Sequence, residues 1–168
     1  GDFSLDIGGL ATVKGQAQAT GTVDASSVNA NATATSGSLT SGGGSGLMST
    51  IIGLSSLNLD GDANGTVLGT ANGSFNTTAE SVVGNATAWS AQSLTGISAL
   101  TLNLDGSGLI TAIANDTSFV DAYSVGGIAT ATAQVDAIGL NVASITAGAD
   151  LSLSASSTIS SSTYSHSV

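Results

Sequence analysis

Residues 8–23 read GGLATVKGQAQATGTV, and apolar and polar side chains alternate along them with a period of two. Ala11, Val13, Gly15, Ala17, Ala19, Gly21 and Val23 fall on one side of an extended chain. Thr12, Lys14, Gln16, Gln18, Thr20 and Thr22 fall on the other. That period marks a half-buried β-strand, yet its apolar side carries nothing larger than valine. Apposed sheets usually stand about 10 Å apart because larger side chains fill the gap. Sheets faced with Ala and Gly must approach more closely. Each such residue buries little apolar area, at ~25 cal/mol per Å², to set against the chain entropy lost on folding. Small faces therefore suit ladders that continue from strand to strand and from subunit to subunit.

The same pattern recurs down the chain. Val28, Ala30, Ala32 and Ala34 oppose Asn29, Asn31, Thr33 and Thr35. Val67, Gly69, Ala71, Gly73 and Phe75 oppose Thr66, Leu68, Thr70, Asn72 and Ser74. Ala129 to Ala137 oppose Ile128 to Asp136, and Leu151, Leu153 and Ala155 oppose Ser152, Ser154 and Ser156. Turn residues separate the runs at SGGGSG (41–46), DGDANG (60–65), DGSG (105–108) and GG (126–127). No segment has the start and stop signals of a helix, and GLMSTIIGL at 46–54 is the one place where a short helix competes.

The chain also echoes itself. LNLDG stands at 57–61 and 102–106, Phe75 answers Phe119, and Ser81-Val82 answers Ser124-Val125. NATATSGSLT at 31–40 resembles NATAWSAQSLT at 85–95. A period of about 20–50 residues is the signature of repeat architectures. We therefore expect one repetitive β domain over 1–168, with repeats at about 3–56, 57–101 and 102–144 and a partial one at 145–168. The expected fold is all-β, a β-solenoid of about seven coils of ~22 residues each. The alternative is an antiparallel β-sandwich of long strands completed by a donated strand. The run 11–23 favours the latter, since it would span about 43 Å at ~3.3 Å per residue.

Charge excludes several functions. The net charge is −10, with 11 acids and Lys14 as the sole basic side chain. Nucleic acid requires a basic surface for its phosphates, and an anionic membrane surface requires one too. No apolar run approaches the ~18 residues of a membrane span, so no membrane insertion is expected. There is no cysteine, hence no disulfide framework. The opening Gly1 is what a processed chain would show, and equally a trimmed one.

Catalytic constellations are missing from the sequence. His166 is the one histidine and lies in a Ser-rich tail, where a triad would need a positioned base. Glu80, Asp116, Asp121 and Asp136 are scattered, with Trp89, Tyr123 and Tyr164 as the candidate sugar platforms for a carboxylate pair. We expect no enzyme. SGGGSG lacks the lysine of a phosphate loop. Asp60, Asp62 and Asn64 match the opening of an EF-hand loop, which makes calcium the one candidate cofactor, but the twelfth position is Ala71 rather than a bidentate acid. Asn31, Asn64, Asn72, Asn76, Asn85 and Asn115 each open an N-x-S/T sequon; they are candidate glycosylation sites, and equally ordinary polar residues of strands and turns. Phe3, Leu5 and Ile7 alternate with Ser4 and Asp6 and are larger than most strand residues here. We expect them to form an assembly strand, added to a neighbour's edge or capping the chain's own core, with Leu151 and Leu153 as a second candidate.

In composition and repeat style the chain resembles repetitive extracellular β-rich fibre subunits: solenoid adhesins, functional-amyloid subunits and strand-donating pilus-like subunits. The resemblance implies a secreted, self-associating structural role at the cell surface, with the chain itself as partner. It carries no site residues. An adhesin or phage-fibre binding module, which would need one exposed aromatic or acidic patch, is one alternative. The other is an ice-binding β-solenoid, which would need a regular array of Thr12, Thr20, Thr22, Thr33 and Thr35.

Overall fold

A computed structural model describes residues 4–7, 11–36, 49–61 and 65–168. These form nine strands: β1 (Ser4–Ile7), β2 (Ala11–Ser27), β3 (Ala32–Ser36), β4 (Ser49–Gly61), β5 (Gly65–Ser81), β6 (Ala86–Leu104), β7 (Gly108–Ser124), β8 (Ala129–Ala147) and β9 (Leu151–Ser167). Residues 49–54 of the ambiguous GLMSTIIGL stretch are strand; 46–48, and the SGGGSG turn, lie outside the described residues.

The strands form two sheets, one of them curled as a half-barrel. One sheet runs β2-β5-β7-β9. The other runs β1-β4-β6-β3, with β8 also paired to β6. Every pairing among the described strands is parallel, which corrects the antiparallel alternative. Parallel neighbours need a long crossover. Here the crossover is itself a long strand in the opposite sheet, so strands of 17 and 19 residues fit a parallel stack. The arrangement is consistent with solenoid-like stacking. The register also corrects the coil length. Gly65 pairs with Gly108 and Gly108 with Leu151, steps of 43 residues. A 22-residue segment is thus one strand with its turn, half of the distance between neighbours in one sheet. The step from Ala11 to Gly65 is 54. The difference lies between two described pairs: Ser36 meets Ser90 and Ser49 meets Gln92, and Ser36 and Ser49 are 13 residues apart in sequence where Ser90 and Gln92 of β6 are two apart.

These registers test the sequence echoes one by one. Ser81 does meet Ser124, and Ala32–Ser36 meets Ala86–Ser90. LNLDG does not align with LNLDG: Leu59 meets Leu102, a slip of two residues that preserves the face. Phe119 lies beside Asn76 rather than Phe75, a slip of one that sends the two rings to opposite faces.

Three apolar clusters fill the space between the sheets. Ala32, Ala34, Ala79, Ala86, Ala88, Val120 and Ala122 form one. Ile51, Ala71, Leu94 and Ala114 form the second. Val67, Ile97, Leu102, Leu104, Ile110 and Ala112 form the third. Between the second and third the sheets nearly touch. A Cβ on Gly53 would stand 2.4 Å from the Thr70 carbonyl oxygen, one on Gly96 2.6 Å from the Ile113 nitrogen, and one on Gly139 2.8 Å from the Ser156 oxygen. Cβ atoms on Gly15 and Gly69 would meet the oxygens of Gly53 and Gly96 at 2.4 and 2.3 Å. The close approach demanded by small-residue faces is thus concentrated in a waist of stacked glycines. The same glycines break the period of two. Thr95 pairs with Ile138 and Ile97 with Leu140, while Gly96 and Gly139 fall out of the pairing. The inward residues of β6 pass from Leu94 to Ile97, and then back to even numbers at Leu102. Both β6 and β8 skip one residue at the same level, so the register is kept while the alternation shifts.

The turns are stacked as well. Ser27, Ser81, Ser124 and Ser167 share one column. Ser27 Oγ accepts the Ala30 N–H and Ser81 Oγ the Gly84 N–H. Ser81 Oγ also donates to the Ala30 carbonyl, and Ser124 Oγ to that of Gly84. Each of these serines precedes a valine, at 28, 82, 125 and 168. That four-fold Ser-Val recurrence was in the sequence and gives the register directly.

Candidate functional site

The outermost strand is where the architecture is least complete. β9 is bonded along one edge, to β7, and every one of its residues is exposed. Columns that are sealed inside the stack lie open there. Ile110 is 0% exposed and its column neighbour Leu153 is 49%; Asp116 is 1% and Ile159 is 51%. Leu151 and Tyr164 are exposed too. At the other end, among the described strands, β2 is bonded to β5 alone, and β1 runs beside residues 58–61 of β4.

The outer face of β7 and β9 carries a cluster of rings. Phe119 and Tyr164 have centroids 5.5 Å apart with planes tilted by 38°. Tyr123 and His166 lie 5.4 Å apart and within 7° of parallel. Rings lying side by side in one plane could not come so close, so these two stack with an offset from one strand to the next. His166, the candidate base, stacks on a phenol. Shallow grooves beside the rings are lined by Thr20, Thr22, Ser74, Asn76 and Phe119, and by Ser26, Val28, Glu80 and Tyr123. Neither lining holds two carboxylates.

Asp116 sits elsewhere, under the sheets. Its Oδ2 accepts a 2.7 Å bond from Ser118 Oγ, and its Oδ1 has no partner. Burial pushes its carboxyl above the ordinary range, opposed by the Ser118 hydrogen bond. Gln92 is also sealed, donating to Ser90 at 2.7 Å.

The sequence candidates divide as follows. Phe3, Asp62 and Asn64 lie outside the described residues. The backbone of Asp60 runs in β4 between those of Asp6 and Asn103. Among the described residues no three His, Asp or Glu gather as metal ligands. The backbones of Leu5 and Ile7 pair with Leu59 and Gly61 of the same chain, the capping arrangement. Of the sequons, Asn31 Oδ1 accepts the Asn85 N–H and Asn85 Oδ1 accepts the Ile128 N–H, each at 2.9 Å. Asn115 Nδ2 donates to Asn72 Oδ1 at 3.1 Å. These four link one rung to the next. Asn76 lies exposed on the outer face, and Asn64 is outside the described residues. Threonines align as Thr33–Thr87–Thr130, but Trp89 stands between Thr35 and Thr132, and Thr22 faces Asn76. The ring cluster went unread in the sequence because Phe119, Tyr123, Tyr164 and His166 are assembled by the 43-residue register. Compared with known proteins, the chain matches no family model, no curated protein and no solved structure.

Proposed function

We propose that the chain is a non-catalytic structural subunit of a self-assembling extracellular fibre. Its strands would follow a β-solenoid path of 43 residues per circuit, one strand in each sheet. The observation that carries this reading is the exposure of β9. Leu153 and Ile159 occupy columns that are fully sealed one rung earlier, and a bare row of N–H and C=O groups accompanies them. Another copy of the chain would satisfy both. The rungs themselves support it: Asn and Ser side chains hydrogen-bond from one strand or turn to the next. Extracellular placement rests on the compositional resemblance to secreted fibre subunits. The ice-binding alternative is not favoured by the interrupted threonine columns. The binding-module alternative draws on the exposed rings, but the Tyr123–His166 overlap turns those faces along the ladder rather than outward.

Negative-stain microscopy and light scattering over a concentration series test the reading. Filaments whose mass grows with concentration are expected. A monomer at every concentration would overturn it.

A further inference from the structure

Which edges would meet in such a fibre is a separate question, and its answer rests on the fibre reading above. We propose that the free edge of β9 is occupied by β2 of a second copy, parallel and in register, with Leu151 beside Ala11 and Ser167 beside Ser27. Three observations lead there.

The first is fit. β2 and β9 are each 17 residues long, and each is bonded on one side only, β2 to β5 and β9 to β7. Ala11, Gly65, Gly108 and Leu151 open successive strands of that sheet in one column. Ala11 of a second copy is the next member of the series, running in the same direction.

The second is row chemistry. On the inner side the register sets Val13 beside Leu153, Gly15 beside Ala155 and Ala19 beside Ile159. On the outer side it sets Lys14 beside Ser154, Gln18 beside Thr158 and Asp24 beside Tyr164. No like charges meet, and no apolar residue meets a charge on the inner side. The Asn72–Asn115 amide column, which reaches Thr158, would continue into Gln18.

The third is the ring stack. Tyr123 covers one face of His166. The opposite face points along the ladder, to the place where Ser26 of the second copy would lie.

The same placement has a consequence in the other sheet. β1 runs beside residues 58–61, whose columns continue to 101–104 and 144–147. β1 of the second copy would therefore lie beside residues 144–147 of β8.

The chain has no cysteine, which permits a clean test. Thr12→Cys and Ser152→Cys are introduced together in the full chain, and the assembled protein is treated with a short bifunctional thiol cross-linker. Within one chain the two positions are three rungs apart, about 14 Å at ~4.8 Å per rung, so a short linker joins only different copies. A ladder of covalent dimers, trimers and higher species is expected. The pair Thr12→Cys with His166→Cys, which an antiparallel junction would bring together, should yield none. Filaments that form without the Thr12–Ser152 product, or with the Thr12–His166 product, overturn the proposed junction and leave the fibre reading intact. Products that stop at dimers overturn it as well, since two β9 edges would then be facing each other. A monomeric protein with no cross-linking overturns both.

Discussion

Asp116 shows what a single polar residue does in so thin a core. It is 1% exposed, and one of its two oxygens has no partner. Burial raises its pKa above the ordinary carboxyl value of 3.8. The folded chain therefore holds that proton more tightly than the unfolded chain does. Stability from this group is complete below pH 3.8 and falls as pH rises through the raised folded value. Asp116→Asn keeps the shape and removes the ionisation. Its melting temperature should equal or exceed that of the parent at pH 7, and the acid-side loss of stability with rising pH should disappear. Melting curves over a pH series check this; a variant that keeps the parent's pH slope would show that another group is responsible. Leu104, 3% exposed and in the cluster with Ile97 and Leu102, tests the apolar side. Leu104→Ala should cost about 2–5 kcal/mol, read by denaturant unfolding, as for other buried leucines.

At the scale of elements, the glycine waist decides how the two sheets pack. Gly69→Ala would drive a methyl to 2.3 Å from the Gly96 carbonyl, a backbone atom that cannot turn aside. A loss at or above the upper end of the ~1–3 kcal/mol typical of overpacking is expected. Gly73→Ala would meet Leu94 and Ile51 side-chain carbons at 3.1 and 3.3 Å and Asp116 Oδ1 at 3.2 Å. Those atoms can give by tenths of an ångström, so its cost should be clearly smaller in the same unfolding measurement. Equal losses would mean that the waist is not a point of close contact. The sequence tells less about these elements than about the strands that cross them. Alternation identified the strand run 11–23 and the inward row Ala129 to Ala137 correctly, because a period of two survives wherever one face is buried. It could not reveal that Gly96 and Gly139 shift the period by one. Such a break is a backbone event shared by neighbouring strands, and its residue looks the same as any glycine of a small-faced strand. Strand direction did not come from the alternation, which reports the faces of a strand and not its neighbour's direction; the internal echoes, read as a solenoid, were what pointed to parallel stacking. The LNLDG identity then misled by two residues, while the Ser-Val pairs at the turns, held by hydrogen bonds to the adjacent turn, carried the true register. Of the candidate site, the sequence singles out Leu151 and Leu153, and the structure leaves both exposed on β9. The ring cluster is not legible there, since residues 43 apart in sequence make it.

The whole molecule is a ladder whose two ends differ in how much they cover. Inside the chain, β7 is bonded along both edges, to β5 and β9, and β6 is bonded to β8 along nearly its whole length. Among the described residues, a junction of β9 with β2 of another copy would supply 17 pairs in one sheet and the four of β1 in the other. That is fewer than β6–β8 and β7–β9 make within the chain. On the described residues a junction should therefore part before the last internal rung, although the junction is built from the same kinds of residue. It also contains Lys14 and Asp24 as the only Lys, Arg, Asp or Glu side chains of its two strands, and neither faces a charge. Two outcomes follow for the assembled protein. In a denaturant titration, scattering from filaments should fall at a lower concentration than the far-ultraviolet β signal, giving two separate transitions. Raising the ionic strength from ~0.01 to ~1 M, which shortens the Debye length from about 30 to 3 Å, should leave the first transition nearly where it was. A single coincident transition would mean that copies are joined as firmly as the rungs within them, as they would be if β8 were covered along its full length. A first transition that moves strongly with salt would mean that charged groups hold the junction. Those groups would have to lie off β2 and β9.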